Sequence, residues 1–239
     1  MKSIRELLKS NPFSSFFKKT DPAIKNYITK KRVKSIPLIV TFKHPLNENL
    51  ETRLKRTGFK VKHHFQFLNG VSGKISTSRF ESLCSIIEIK KLYLDSKAYL
   101  MGKTEGNAVI GTSVGKAVSL SGKGVCVAFI DSGVYPHPDL TRPKNRIVAF
   151  KDFVNGLEGP YDDNGHGTAC IGAAFGCSAE GKFRALAYDS TIICAKAFNS
   201  LAIGSYSDIL AAMQWIYSLK DKYNIKIIVL PFGTSCTHH

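Results

Sequence analysis

No run of 18 or more apolar residues occurs in the 239-residue chain, which excludes a helix that crosses a bilayer unaided. The first residues hold no uninterrupted apolar stretch either. Lys2, Arg5, Glu6 and Lys9 break it too early for a secretory signal, so a cytoplasmic protein without membrane contact is expected. Six cysteines are present, yet none forms a C-x-x-C pair. That removes the usual zinc spacing, and in a reducing compartment it predicts free thiols. No cofactor or metal is expected. The tail Cys236-Thr237-His238-His239 reads as a frayed terminus, not a ligand set.

Acidic residues are scarce, at 18 Asp+Glu against 34 Lys+Arg, for a net charge of +16. The deficit lies in the first hundred residues, with 21 basic against 7 acidic; the remainder is nearly balanced at 13 against 11. No helix-turn-helix, zinc-finger or RNP pattern accompanies the basic half. A solvated basic surface is therefore the reading, and nucleic acid is not an expected partner. The chain is 44% apolar, enough for one large core or two smaller ones.

Residues 1–35 form a basic leader, expected to be partly ordered, whose weak helical face is interrupted by Pro12 and Pro22. Residues 36–100 read as a compact βαββαβ unit. Ile36–Phe42 is strand-like. Asn47 is placed to cap a helix that ends near Arg56, and Gly58 stops it. Phe59, Val61, Phe65 and Phe67 suggest a second strand, Asn69-Gly70 a turn, and Val71–Ile75 a third strand. A short helix capped at Thr77 or Ser78 and a last strand over Ile87–Leu94 complete a small ferredoxin-like α+β domain. Residues 101–123, rich in Gly, Ser and Thr, read as a connector. From 124 to 239 buried strands (Val125–Ile130, Arg146–Phe150, Thr191–Ala197, Ile225–Leu230) alternate with helices (His166–Gly176 and one capped at Ser207 or Asp208). That alternation predicts an α/β fold with a doubly wound parallel sheet.

Two motifs carry chemistry. The strand Gly124–Ile130 runs into Asp131-Ser132-Gly133, and Asp162-Asp163-Asn164-Gly165-His166-Gly167-Thr168 opens the next helix. A carboxylate at the carboxyl end of a buried strand lies where such sheets gather functional groups. There it can accept a hydrogen bond from an imidazole and fix its tautomer. Glycines on either side of His166 let the backbone turn closely around the ring.

With its continuation Tyr135-Pro136-His137-Pro138-Asp139-Leu140, the Asp motif resembles that of the subtilisin-like serine proteases. The His motif resembles the same family's D-x-x-G-H-G-T. The likeness is nearest to the intracellular, alkaline-type members. It implies a subtilisin-like sheet that is incomplete in this chain, with Asp131 orienting the histidine and His166 as general base and then general acid. It also implies a polypeptide substrate. Residues 36–100, through Phe65–Gly73, resemble the family's propeptide, a chaperone and inhibitor that contacts the catalytic domain of its own chain. Ile228–Gly233 resembles the substrate-lining strand, with Pro231, Phe232 and Gly233 beside substrate, and Asn164 is a further candidate.

In this order of motifs the serine follows the histidine by about 155 residues. Gly111-Thr112-Ser113 echoes the nucleophile motif but precedes Asp131, and Gly233-Thr234-Ser235 lies only 69 residues past His166. The resemblance therefore implies a chain truncated before its serine and oxyanion asparagine, inactive by itself. The alternative is a non-catalytic binding module, acting as inhibitor or folding chaperone of a subtilisin-like protease. Ala169 replaces a second histidine usual in the family. The Asp139 position, a calcium ligand in some members, lacks the rest of such a site.

Overall fold

The structure is a computed structural model that describes residues 19–31, 33–102, 120–178 and 183–234. The leader up to residue 18, most of the connector with Gly111-Thr112-Ser113, and Ser235 with the tail lie outside the described residues. The chain divides into two compact units, Met1–Ser96 and Lys97–His239.

In the first unit, α1 (Pro22–Lys31) begins at Pro22, whose fixed φ suits the first helical position. The expectation that Pro22 interrupts a helix is thus corrected: it opens one, and Ile24 and Ile28, one turn apart, are both buried. β1 (Ser35–Phe42) is followed by α2 (Glu48–Arg56), capped by Asn47, whose side chain accepts from the Leu50 amide at 2.9 Å. Glu48 and Glu51 occupy its first turn and Arg53, Lys55 and Arg56 its last, which complements the helix dipole at both ends. β2 (Lys60–Phe65), β3 (Gly70–Ser76), α3 (Phe80–Cys84) and β4 (Ile89–Leu94) follow. Phe67 is not on a strand. It sits 56% exposed on the 3-10 turn Gln66–Leu68, which Asn69 closes at φ 44°. The sheet runs β2-β3-β1-β4 with antiparallel neighbours, the ferredoxin-like arrangement.

The second unit is built on β6 (Cys126–Asp131), β7 (Ile147–Asp152), β8 (Thr191–Lys196) and β10 (Ile225–Val229). All neighbours are parallel, in the order β10-β6-β8-β7. Every residue of β6 is buried, as a strand covered on both faces requires. Its side chains divide by parity. Cys126, Ala128 and Ile130 join a core with Ile209, Ala212 and Ile216 of α6 (Tyr206–Ser218). Val127 and Phe129 join another core with Ile171 and Phe175 of α5 (His166–Phe175). One helix therefore covers each face of the sheet, and the next odd-numbered residue, Asp131, points to the α5 side. The short α4 (Pro138–Thr141) lies between β6 and β7, and α7 (Lys220–Tyr223) precedes β10. Along the outer sheet edge Ile227, Ile228 and Leu230 are 52%, 41% and 43% exposed. The cap of α6 is Ser205, one turn before the amide of Asp208 that it binds, not Ser207 or Asp208.

A third sheet is absent from the sequence reading. β5 (Lys97–Leu100) lies between β9 (Ile203–Ser205) and β11 (Phe232–Gly233), antiparallel to both. Residues 97–100 therefore pair within the second unit, although the sequence joins them to the domain over 36–100. Only two residues separate β4 from β5, and the strand-like alternation continues across them, so nothing local marks the transfer.

Phe129 is 2% exposed and meets Phe175 edge-on with ring centroids 5.6 Å apart. Phe129→Ala is expected to cost about 3–5 kcal/mol, read as a lower urea midpoint with unchanged slope.

Candidate active site

β6 ends in Asp131, fully buried, and α5 begins with His166. The imidazole Nδ1 lies 2.8 Å from Asp131 Oδ1 and 3.1 Å from Oδ2, and the Ser132 amide donates to Oδ1 at 2.6 Å. The charged ring donates through Nδ1 to Asp131 and through Nε2 to the Met101 carbonyl oxygen, 2.9 Å away. Loss of the Nε2 proton leaves the acceptor nitrogen that a general base needs.

The close approach of the two elements depends on Gly167. A Cβ there would stand 2.1 Å from the Gly133 carbonyl oxygen and 3.2 Å from Asp131 Cγ. Gly133 itself, at φ 132°, brings the strand end against Tyr161, whose carbonyl oxygen lies 2.1 Å from where its Cβ would be.

Asp162 ties the motifs together. Its Oδ1 accepts from the Ser132 hydroxyl at 2.9 Å and from the amides of Asn164 and Gly165. Its Oδ2 accepts from the amide and hydroxyl of Thr168 at 2.9 and 2.6 Å. The Ser132 oxygen in turn accepts from the Gly167 amide at 2.9 Å, so this serine is spent on bracing and is no nucleophile. Lys196, with no exposed surface, donates to Ser132 O, Phe198 O and Asp163 Oδ1 at 2.6, 2.8 and 2.5 Å. Ser132, Asp162 and Lys196 were missed as functional residues. The first two stand inside the motifs, and Lys196 is the charged end of an otherwise apolar strand.

Burial disfavours the charged form of His166, but the hydrogen bonds to Asp131 and to the Met101 carbonyl and the charges of Asp131 and Asp162 outweigh it and raise its pKa above 6.5. Burial likewise works against the Asp162 carboxylate, and its many donors reverse that and hold it below the usual range. Cys170 Sγ lies 3.8 and 3.9 Å from the two ring nitrogens. Asp131, His166 and Cys170 bring ligand atoms within 4.8 Å of one another, a set that can hold a metal. Both carboxylate oxygens of Asp131 already face Nδ1, however, and burial with the nearby carboxylates pushes the Cys170 thiol up to about 11. The arrangement is suited to moving a proton.

The remaining candidates divide. Phe232 and Gly233 pair with Leu100 and Tyr99, and the Pro231 carbonyl accepts from the Met101 amide at 3.0 Å. Proline's missing N–H is thus no obstacle, since the acceptor side does the pairing. Asn164 stands elsewhere. It donates to Ser200 O at 2.9 Å and accepts from the His166 amide at 3.2 Å, which braces the loop before α5.

A buried carboxylate holding the Nδ1 face of an imidazole, at the carboxyl edge of a parallel sheet wound on both sides, defines an acid–base site of the serine-protease kind. The chain matches the Subtilase family over residues 122–238, and through them it belongs to the subtilases, the subtilisin-like serine proteases. Over 170 residues it is 39% identical to Serine protease AprX of Bacillus subtilis, a match covering 69% of this chain and 38% of that protein. The fold matches fervidolysin of Fervidobacterium pennivorans, with TM-score 0.63 at 15% identity over 83% of this chain and 36% of that one. It matches the epidermin leader peptide processing serine protease of Staphylococcus aureus with TM-score 0.63 at 18% identity, over 83% and 50%. The chain thus spans no more than half the length of these three.

Two substitutions test the geometry. Because the folded pKa of His166 is raised, its contribution to stability is complete below about pH 6.5 and is lost as pH rises through the folded value. NMR titration should place His166 above its ordinary pKa, and Asp131→Asn should lower it. The stability gap between wild type and Asp131→Asn should narrow from pH 6 to pH 9. Gly167→Ala should cost about 1–3 kcal/mol, measured by thermal unfolding, and shift the His166 resonances.

Proposed function

We propose that the chain carries the acid–base part of a serine endopeptidase site, with Asp131 orienting His166 and His166 passing the proton. The observation that carries this reading is the held imidazole whose Nε2 meets the Met101 carbonyl, just past a strand clasped from both sides. In the complete reaction a serine oxygen bonds to the substrate carbonyl carbon while Nε2 takes the hydroxyl proton. The C–N bond then breaks as Nε2 returns that proton to the leaving amine, and water releases the acyl group by the reverse relay. Among the described residues no serine hydroxyl is paired with Nε2, and Ser132 is committed to Asp162 and the Gly167 amide. The nucleophile and the oxyanion donor are to be supplied by residues other than these.

A second reading concerns regulation. Lys97–Leu100 follows the ferredoxin-like unit directly and fills the slot between β9 and β11, with the bond Met101–Gly102 next to His166. This supports a propeptide-like role for the preceding residues, whose last strand blocks the site as a substrate would lie.

The test joins residues 1–234 to the part of Serine protease AprX that follows the matched region. The chimera is expected to hydrolyse a peptide substrate in a phosphonate-sensitive manner. His166→Ala should lower turnover by about 10⁶-fold, because triad residues act as one unit. A chimera equally active without His166 rejects the assignment. Phosphonate-sensitive hydrolysis by the 239-residue chain itself would show that it carries its own nucleophile.

A further inference from the structure

We infer that Asn164 is a positioning residue for His166, tying the start of α5 to the rim of the slot so that a strand seated against β9 steadies the imidazole from its main-chain side. The inference rests on the reading of β5 as a strand lying where substrate lies.

Asn164 uses both ends of its side-chain amide. Its Oδ1 accepts from the His166 amide at 3.2 Å, and its Nδ2 donates to Ser200 O at 2.9 Å. Only one orientation of the side chain satisfies both bonds, since a backbone amide needs an acceptor and a carbonyl needs a donor. The backbone of Asn164 is fixed as well, its amide donating to Asp162 Oδ1 at 3.1 Å. From that fixed point the side chain bridges two segments 36 residues apart in sequence.

Residues 199–202, between β8 and β9, form the other end of the bridge. They close on themselves. Asn199 Oδ1 accepts from the amides of Leu201 and Ile203, both at 3.0 Å, and the Asn199 carbonyl accepts from the Ala202 amide at 3.0 Å. Ala202 stands at φ 61°, a left-handed conformation that costs free energy for any residue with a Cβ. Such strain persists where the surroundings impose it, and it gathers at functional sites. Here the Ala202 carbonyl oxygen accepts from the Leu100 amide at 3.1 Å. Two residues earlier, the Ser200 carbonyl accepts from Asn164. The strand in the slot and the first residue of α5 thus hold the same closed turn.

This connection has a role that the Met101 contact cannot fill. Nε2 changes partner when it takes a proton from a nucleophile, so a bond made there cannot hold the ring through the reaction. The Asn164 bridge bypasses Nε2. A row of contacts amounts to coupling only where cutting it uncouples the two ends. Aspartate makes the cut, because Asn164→Asp keeps an oxygen to accept from His166 and loses the donor to Ser200 O.

The experiment follows amide hydrogen exchange in the full chain by NMR. Leu100→Pro removes the donor to Ala202 O. It is expected to accelerate exchange of the His166 amide about fivefold, the worth of one hydrogen bond. The Gly165 amide, which donates to Asp162 Oδ1, should not change. In the Asn164→Asp background the same replacement should leave the His166 amide unchanged too. A residue that merely caps the loop gives the same acceleration in both backgrounds, and that result overturns the inference. Coupling is reciprocal, so Asn164→Asp alone should accelerate exchange of the Leu100 amide, a measurement that stands even where the proline variant fails to fold. Unchanged Leu100 exchange in Asn164→Asp likewise overturns the inference. In either case, protected Leu100 and Met101 amides in the wild type leave the slot reading intact. If those two amides exchange freely in the wild type, β5 is not seated, and the slot reading falls together with the inference.

Discussion

Asp162 lies outside the Asp131–His166 pair, yet the geometry of that pair depends on it. The carboxylate accepts from Ser132 Oγ on the loop that ends β6 and from Asn164, Gly165 and Thr168 around the start of α5. Asp131 and His166 approach from two elements 35 residues apart in sequence. Their own hydrogen bond cannot set the angle between those elements. A charged acceptor with several donors is stronger than a neutral one, and here every donor belongs to one of the two segments that must be registered, the end of β6 or the start of α5. Lys196 adds a counter-charge from β8, bonded to Ser132 O and Asp163 at once. A buried cation so fully paired avoids the cost of an isolated charge.

This anchoring also explains the electrostatic character of His166. Asp131 and Asp162 both raise its proton affinity, while burial works the other way. A base held in a dry setting with its Nδ1 face occupied has only one route for proton transfer, through Nε2. That nitrogen opens onto the slot between β9 and β11. The sheet with both faces covered supplies the rigid frame, and the small antiparallel sheet brings the Met101 carbonyl to it.

Legibility in the sequence followed the range of each interaction. Asn47, Gly58 and Asn69-Gly70 act on their immediate neighbours, so the elements of the first unit could be read from them within a few residues. Asp131 and His166 were legible because each sits in a dense local motif. β9 and β11 were not, since Ile203–Ser205 and Phe232–Gly233 are too short for any period to show. They are strands only because Lys97–Leu100 lies between them. The same long-range dependence hid the bracing roles of Ser132 and Lys196. Phe67 misled for the converse reason: an aromatic residue in an alternating run, turned outward by a 3-10 turn that the period does not reveal.

The slot between β9 and β11 grips Lys97–Leu100 by both of its backbone edges. A strand already paired within another protein's sheet has at least one edge occupied, and a helix has neither edge free. Only a segment that has left its own fold, or never joined one, presents two unpaired edges over four consecutive residues. A slot of this kind accepts a chain first by its conformational state, and only afterwards by its side chains.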